Sequence, residues 1–247
     1  MSHFKIPLTS ILITILAGGA HAQIALDPTA APGQNFDLSR YRLQTLDGTQ
    51  RFTEVSVLHA YQDSYFFTDP KSGAMIFRTP AGAGHSRHSE YPRVELREID
   101  DFTMDSSGGR QHAESLAFRV MSEPKTGKLI FAQIHGESAG TELLKLRWTH
   151  GDVLMGVKVR PGAAEEQLAL MHGLSTGDLV ECQIALLGNT VTVRARSNEH
   201  ELTQSFTYDE SAWSGQRLYF KVGNYTQDNE RDDSEGVVAV QQLKLAK

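Results

Sequence analysis

The sequence contains a single cysteine, Cys182, among its 247 residues. One thiol excludes an internal disulfide, so the fold cannot depend on covalent cross-links. Cys182 stands in a stretch of alternating apolar residues, where a small buried thiol is expected. Stability must therefore come from packing, and a hydrophobic content of 40% is enough for one sizeable core.

Positive charge is also scarce, because 24 lysines and arginines face 30 acidic residues, a formal net charge of −6. An acidic chain is poorly suited to nucleic acids and to anionic membranes, so neither is expected as a partner of the mature form. A polyanionic ligand would need a local basic groove on this acidic body. None of the histidines has a convincing metal-ligand spacing, and we predict no metal and no cofactor.

The apolar run from Leu8 to Ala17 is too short to cross a bilayer as a helix. With Lys5 before it and the small-x-small site Ala20-His21-Ala22 after it, the run is typical of a secretory signal peptide. We predict that residues 1–22 are removed and that residues 23–247 form a single secreted or periplasmic domain. An N-terminal membrane anchor or an ordinary buried helix is the alternative.

Long helical periodicity is absent, and only Ala163–Leu170 is predicted as, at most, a short helix. The remainder reads as short alternating runs between turn residues, which predicts an all-β fold of two antiparallel sheets packed face to face. In the clearest hairpin, Gly188-Asn189 joins Ile184–Leu187 to Thr190–Val193. Predicted strands are Ala74–Arg78, Arg93–Ile99, Ser115–Met121, Lys128–His135, Leu143–Thr149, Val153–Arg160, Leu179–Leu187, Thr190–Ser197, Gln216–Tyr225 and Val237–Leu245.

Three of these predicted strands carry catalysis-capable side chains at alternate positions. Residues two apart on a strand share a face, and the intervening residues here are apolar, which predicts a core on the opposite side. A strand that faces only water tends to carry interchangeable Ser, Thr and Lys, so these faces indicate a binding surface for an anionic substrate. The three sets are Arg93, Glu95 and Arg97; Gln133 and His135; and Tyr219, Lys221 and Tyr225.

The blocks Arg93–Glu98, Gln133–His135 and Tyr219–Gln227 resemble, in order, the three signature blocks of the polysaccharide lyase family 7 alginate lyases. The flanking segments Phe36–Ser39 and Ala74–Arg78 are similar too, so the resemblance covers nearly the whole mature chain. It implies a β-sandwich of jelly-roll type with a substrate groove across one sheet. It also implies cleavage of alginate by β-elimination, giving unsaturated uronate oligosaccharides.

The resemblance further implies catalytic roles for Arg93, Gln133, His135 and Tyr225. The first three would neutralise the uronate carboxylate, so that the neighbouring C5 proton can leave. Tyr225 would protonate the glycosidic oxygen and, for one sugar epimer, also abstract the C5 proton, whereas His135 would be the base for the other epimer. The predicted substrate-binding residues are Glu95, Arg97, Tyr219, Lys221, Asn224 and Gln227, with Glu95 expected to orient guanidinium groups.

Some positions depart from the family pattern. Val94 stands where Ser or Thr is common, and Val222, Asn224 and Thr226 occupy variable positions. All but Asn224 are expected on or near the face away from the groove, or at its rim, so they bear on substrate preference rather than on chemistry. In the Gln-x-His block, Ile134 tends in the family to accompany activity on guluronate-containing chains.

Two loops rich in small residues, 81–89 and 136–140, are predicted either as lids over the groove or as ordinary connections. A non-catalytic module that binds uronate polymers and a lyase acting on another polyuronate, such as glucuronan, are the alternative functions. A glycoside hydrolase usually needs two carboxylates around the bond, and the three faces offer only Glu95 centrally. We expect a monomer that acts on the anionic polysaccharide alginate.

Overall fold

The computed structural model describes residues 25–104 and 110–246, so the predicted signal peptide, residues 1–22, lies outside the described residues. Within those ranges, neither helix is long and apolar enough to cross a membrane. The helices are α1 (Pro32–Asn35) and α2 (Glu210–Trp213). The strands are β1 (Tyr41–Leu46), β2 (Phe52–Val55), β3 (Phe66–Thr68), β4 (Met75–Pro80), β5 (Arg93–Glu98), β6 (Phe102–Thr103), β7 (Gln111–Ser122), β8 (Lys128–Gly136), β9 (Glu142–Thr149), β10 (Asp152–Val157), β11 (Glu166–Met171), β12 (Val180–Leu187), β13 (Thr190–Ser197), β14 (His200–Thr207), β15 (Arg217–Thr226) and β16 (Glu235–Ala246).

The strands form two antiparallel sheets, which confirms the all-β sandwich. The nine-stranded sheet has the order β11-β10-β9-β8-β15-β5-β1-β2, and its ninth strand, β6, also pairs with β15. The seven-stranded sheet has the order β14-β13-β12-β7-β16-β4-β3. Neighbours that are distant in sequence, such as β8 with β15 and β7 with β16, show the chain crossing between sheets, as in a jelly roll.

One hydrophobic core fills the space between the sheets. Val94, Leu96 and Phe220 of the nine-stranded sheet are fully buried in it. Phe118 of β7 stacks on Phe131 of β8 with ring centroids 4.2 Å apart, and so ties one sheet to the other. The apolar half of the predicted alternation is therefore confirmed, and the outward half of the same strands is left to carry polar groups.

The lone cysteine belongs to this core as well. Cys182 is a free thiol and is buried. Burial raises its pKa to about 12, so the thiol stays protonated and is a poor nucleophile. The prediction of a small buried thiol is confirmed.

Every predicted strand is present, with ends that shift by a few residues, and the Gly188-Asn189 hairpin is confirmed. In the hairpin, Leu187 pairs with Thr190 and Gly188 takes the positive φ of 58° that primed turns require at their first central residue.

The short helix suggested for Ala163–Leu170 is wrong, because Glu166–Met171 forms strand β11, paired with β10. Ala, Glu, Gln and Leu favour a helix locally, but the free edge of β10 supplies backbone partners, and tertiary pairing overrides propensity.

Candidate active site

Strand β15 joins the three predicted polar strands into one surface, since it lies between β5 and β8. Its register places Lys221 opposite Arg97 of β5 and opposite Gln133 of β8. Directly opposed residues on neighbouring strands share a face, so the outward sides of the three strands are continuous. The residues gathered there, hereafter the polar face, are Arg93, Glu95, Arg97, Gln133, His135, Tyr219, Lys221 and Tyr225.

Glu95 is the centre of the polar face and is fully buried. Its carboxylate accepts hydrogen bonds from Gln133 Nε2 at 2.6 Å, Lys221 Nζ at 2.6 Å and Arg93 Nη1 at 3.1 Å. Burial by itself raises the pKa of Glu95. The charges of Lys221 and Arg93 and these hydrogen bonds outweigh that effect, so the pKa lies below its ordinary value. Glu95 is therefore an ionised acceptor that holds three other groups of the polar face in place, rather than a group free to contact substrate.

Two arginines of β5 lie over two tyrosines of β15. The guanidinium carbon of Arg93 is 3.9 Å from the ring centroid of Tyr225, and that of Arg97 is 3.8 Å from the centroid of Tyr219. Arg97 is also paired with Asp101, with Nη2 and Oδ1 3.0 Å apart. The guanidinium groups are thus fixed before any substrate arrives, as electrostatic stabilisation of a developing charge requires.

Lys221 was predicted as a subsite contact, and the structure places it deeper than that. Its side chain is almost completely buried and is paired with Glu95. Burial, followed by the charge of Arg93, lowers the pKa of Lys221 to about 7, against the opposing effect of Glu95. Lys221 therefore acts on the site as a hydrogen-bond donor to Glu95, which it holds in place.

His135 is held as a single neutral tautomer. Its Nδ1 lies 2.6 Å from the carbonyl oxygen of Gly136, which can only accept, so Nδ1 carries the proton and Nε2 has a free lone pair. Burial, followed by the charge of Lys221, lowers the pKa of His135 to about 4. At neutral pH the imidazole is thus an unprotonated base whose basic nitrogen is Nε2.

Tyr225 is a protonated phenol on the same surface. Burial raises its pKa above the ordinary value, and the neighbouring Arg93 only partly offsets this. Its ring contacts Tyr91 edge to face, with centroids 6.3 Å apart. A phenol that keeps its proton is suited to donating it to a leaving oxygen.

Gln227 lies beside the polar face rather than within it. Its Nε2 donates to the carbonyl oxygen of Tyr225 at 3.3 Å. With Lys128, Arg147 and Tyr91, it lines a cavity of about 430 Å³ at this end of the face. The position is compatible with the predicted substrate contact.

The structure does not bring Asn224 to the polar face, so the predicted substrate contact of this residue is corrected. Its position on β15 has the parity of Phe220 and Val222, so the side chain points inward and is fully buried. There Nδ2 donates to the carbonyl oxygen of Phe77 at 3.3 Å, and Oδ1 accepts from Thr226 Oγ1 at 2.9 Å. The other departures from the family pattern, Val94, Val222 and Thr226, are buried inside as expected.

Strand β9 adds charged groups that the sequence analysis missed. Glu142 is paired opposite His135, with its Oε1 4.0 Å from His135 Nε2, and it also binds Lys158 and lies 3.9 Å from Lys145. Burial alone raises the pKa of Glu142, but these lysines bring it down to about 2. The alternation of Lys145 and Arg147 with leucines and Trp148 was a sequence signal of the same kind as the three recognised ones.

The two candidate lid loops differ in how they are anchored. In loop 81–89, Gly84 N donates to Gln50 O at 2.7 Å, so the first half is tied to the body, whereas His85, Arg87 and His88 are exposed. In loop 136–140, Gly140 O accepts from Gly162 N at 3.0 Å. Their role as lids stays a prediction.

Within residues 25–104 and 110–246, no group of three or more His, Cys, Asp or Glu side chains is arranged to hold a metal ion. The chemistry available on the polar face is that of fixed cations, an amide, a neutral imidazole and a phenol. Such groups can stabilise a developing anion and move protons without a bound ion.

A jelly-roll sandwich with these groups on one sheet defines the class: a β-sandwich with a polar, cation-rich face suited to an anionic ligand. The family follows from comparison with known proteins. A sequence model of the alginate lyase family matches residues 36–247, so the chain belongs to that family and is a polysaccharide lyase.

Individual relatives agree with the family match. An alginate lyase of Klebsiella pneumoniae is 26% identical over 262 residues, covering 80% of this chain and 85% of the relative. The crystal structure of alginate lyase A1-II′, a member of polysaccharide lyase family 7, has a TM-score of 0.79 at 30% identity, covering 88% of this chain and 98% of that one. A His-to-Asn and Tyr-to-Phe double variant of A1-II′ has been solved with a substrate, GGMG; it is 29% identical, with a TM-score of 0.79, over 89% of this chain and 97% of that one.

Proposed function

We propose that this protein depolymerises alginate by β-elimination at its 1,4-linked uronic acid residues, releasing unsaturated uronate oligosaccharides. The observation that carries the proposal is the convergence of Arg93, Gln133, His135 and Tyr225 on one face, around a single buried carboxylate. Elimination needs a cation and donors at the sugar carboxylate, a base at C5 and an acid at O4. The polar face offers one group or more for each of these tasks.

Charge neutralisation is the first task, because the C5 proton leaves from a carbon next to a carboxylate. Arg93 uses Nη1 on Glu95 and stacks on Tyr225, which leaves its other N–H groups for the substrate carboxylate. Preorganised donors at such a site typically contribute ~3–4 kcal/mol each to transition-state stabilisation. The negative charge that develops on the carboxylate during proton removal is thereby delocalised onto fixed positive groups.

Proton transfer is the second task. For one epimer His135 Nε2 takes the C5 proton, the C5–H electron pair forms the C4=C5 double bond, and the C4–O4 bond breaks. Tyr225 then gives its proton to O4. For the other epimer Tyr225 does both: its phenol proton passes to O4 as the C4–O4 bond breaks, while its oxygen accepts the C5 proton, so the phenol is regenerated. A histidine and a tyrosine are the residues replaced in the A1-II′ variant solved with substrate, which supports these assignments.

We propose that chains containing guluronate are accepted. Ile134 in the Gln-x-His block is typical of that preference in the family, and its side chain lies wholly in the core, so its effect would reach the substrate through the position of β8. The substrate of the A1-II′ complex, GGMG, contains G units, which supports acceptance of such chains. Initial rates on polyguluronate, polymannuronate and alternating blocks test it; a clear preference for polymannuronate would overturn it.

The decisive experiment for the activity is ultraviolet absorbance of the purified mature protein with alginate, polyglucuronate and pectate. Elimination creates a conjugated unsaturated uronate that absorbs, whereas binding without turnover creates none. We expect absorbance to rise fastest with alginate. Binding of alginate with no absorbance would identify a non-catalytic module, and faster turnover of polyglucuronate would identify a glucuronan lyase.

We also propose that residues 1–22 direct export and that residues 23–247 act as one monomeric jelly-roll domain. The composition of the N-terminal segment supports export, and the family match over residues 36–247 supports one domain. N-terminal sequencing of the exported protein should begin near Gln23. Light scattering of the same sample should give the mass of one chain, and a dimer mass would overturn the monomer.

A further inference from the structure

Gln133, on the floor of the polar face, has a side-chain atom without a partner in the described part of the chain. Its side chain is fully buried, and its amide nitrogen, Nε2, donates to Glu95 Oε1 at 2.6 Å. The amide oxygen, Oε1, is buried too and has no hydrogen-bond partner among the described residues. A buried acceptor without a partner is costly and is rare in folded proteins, so it requires an explanation.

The orientation of this amide follows from the charge of Glu95. An ionised carboxylate can only accept, and Glu95 already receives hydrogen bonds from Lys221 and Arg93. Turning the amide by 180° would place two acceptor oxygens 2.6 Å apart. The nitrogen of Gln133 must therefore face Glu95, and the oxygen must face away from it.

The partner of the amide oxygen has to be a donor. A uronate carboxylate is itself an acceptor, and so is Nε2 of the neutral His135. The two lysines opposite Gln133, Lys221 and Lys145, are paired instead with Glu95 and Glu142. A sugar hydroxyl is the donor that a uronate polymer offers. Guluronate and mannuronate differ only at C5, so both carry hydroxyls on C2 and C3 that can serve.

We propose that Gln133 accepts a hydrogen bond from a C2 or C3 hydroxyl of the uronate, and that Glu95 is the positioning residue that imposes this orientation. The second N–H of the amide remains available to the carboxylate, so Gln133 recognises two features of one sugar. The inference rests on the proposed function for the identity of the ligand. Beyond that function, the inference states that the enzyme requires a free hydroxyl on the sugar, whether the sugar is guluronate or mannuronate.

The test compares alginate oligosaccharides with their 2-deoxy and 3-deoxy analogues at the unit that meets the polar face. Affinities are measured by calorimetry in a Tyr225→Phe background, with Gln133 intact or changed to Ala, so that turnover is not needed. With Gln133 intact, one deoxy analogue should bind roughly 10- to 100-fold more weakly than the parent. With Gln133→Ala that deoxy analogue and the parent should bind equally, because the hydroxyl has lost its acceptor.

Equal weakening by the deoxy change in both proteins would overturn the inference, as would equal binding of all three ligands when Gln133 is intact. These outcomes are independent of the proposed activity, which fails if the unmodified enzyme generates no ultraviolet-absorbing product from alginate.

The positioning role of Glu95 has its own variant. Glu95→Gln replaces an obligatory acceptor with an amide that can also donate, so the Gln133 amide can turn. The ratio of the affinities for the hydroxyl-bearing and the deoxy ligand should then fall towards one. Glu165→Gln, the same change at a carboxylate paired with Arg147 of β9, should keep it. If thermal unfolding shows Glu95→Gln to be unfolded, Glu95→Ala, which removes the acceptor altogether, is used. An undiminished preference in the folded variant would overturn the role.

Discussion

At the scale of single residues, the site is defined by pKa values that are shifted from those of the free side chains. Burial and the charges of Lys221 and Arg93 hold the pKa of His135 at about 4. Burial raises the pKa of Tyr225, so the base is unprotonated and the acid is protonated over the same neutral range. Both shifts come mainly from desolvation by neighbouring side chains, which widens the pH range over which one surface supplies an acid and a base together.

Tyr225→Phe should abolish most turnover and leave folding and polymer binding nearly intact. The substitution removes only the hydroxyl, while the ring that stacks beneath Arg93 is retained. Loss of general acid–base help typically costs ~10²–10⁴-fold in rate. Steady-state rates, calorimetric binding and thermal unfolding check this together, with Tyr208→Phe in the core as a matched control. Near-normal activity of Tyr225→Phe would remove the phenol from the mechanism.

The pH profile should reflect the lowered pKa of His135. Its folded value, about 4, lies below the ordinary value of 6.5, so the base stays unprotonated until the pH falls through about 4. On the epimer for which His135 is the base, kcat/KM should therefore stay level below pH 6.5 and decline near pH 4. Rates on block-defined alginate, with circular dichroism to confirm folding, measure the decline. A decline centred near pH 6.5 would contradict the assignment.

At the scale of elements, β15 sets the geometry of the site. The register between β15 and β8 shifts between Val222 and Tyr225, whereas the pairing of β15 with β5 stays regular. A bulge of this kind re-aims a side chain next to the irregularity, here that of Tyr225. Gly223 lies within the bulge and has a φ of 146°. A Cβ at that position would lie 2.5 Å from the carbonyl oxygen of Val94.

Gly223→Ala should destabilise the protein and lower activity together. The new methyl group would meet backbone, which cannot give way cheaply, and the positive φ is strained for any L side chain. A loss on the order of 1–3 kcal/mol in the free energy of unfolding is expected from denaturant titration. Gly48→Ala, where no atom lies within 4 Å, is the control and should be nearly neutral. Unchanged stability of Gly223→Ala would show that the bulge is not needed.

At the scale of the whole molecule, a buried acid lies between the two sheets, away from the polar face. Glu114 of β7 is fully buried and accepts a hydrogen bond from the Tyr41 hydroxyl of β1 at 2.9 Å. Burial raises the pKa of Glu114 to about 8, and the negative charge of Glu98 adds to this. At neutral pH the folded protein therefore keeps a proton that the unfolded chain releases.

Glu114→Gln should flatten the pH dependence of stability. With the folded pKa raised above its ordinary 4.5, the contribution of Glu114 is complete below 4.5 and is lost as the pH rises towards about 8. Across this window the free energy of unfolding of the wild type should fall by about 1 kcal/mol per pH unit more than that of the variant. Urea unfolding at several pH values measures the two slopes, with Glu181→Gln on the surface as the control. Parallel slopes for wild type and Glu114→Gln would contradict the assignment.

Much of the fold and the catalytic set could be predicted from local pattern. Alternation at Arg93, Glu95 and Arg97 reveals which side chains share a face, because the two-residue period of a strand is a property of the backbone alone. The same parity rule would have sent Asn224 inward, with Phe220. Strand β11 could not be read in this way, because its local composition favours a helix and only the edge of β10 makes it a strand.

By itself, the sequence determined the all-β class, the two sides of each polar strand and the types of chemical group available for catalysis. Only the tertiary structure decided that Glu95 binds Gln133, 38 residues away, and Lys221, 126 residues away. It also decided the tautomer of His135 and the direction of the Gln133 amide. The physical reason is that side-chain alternation is local, whereas hydrogen-bond partners and desolvation depend on which strands become neighbours and in what register.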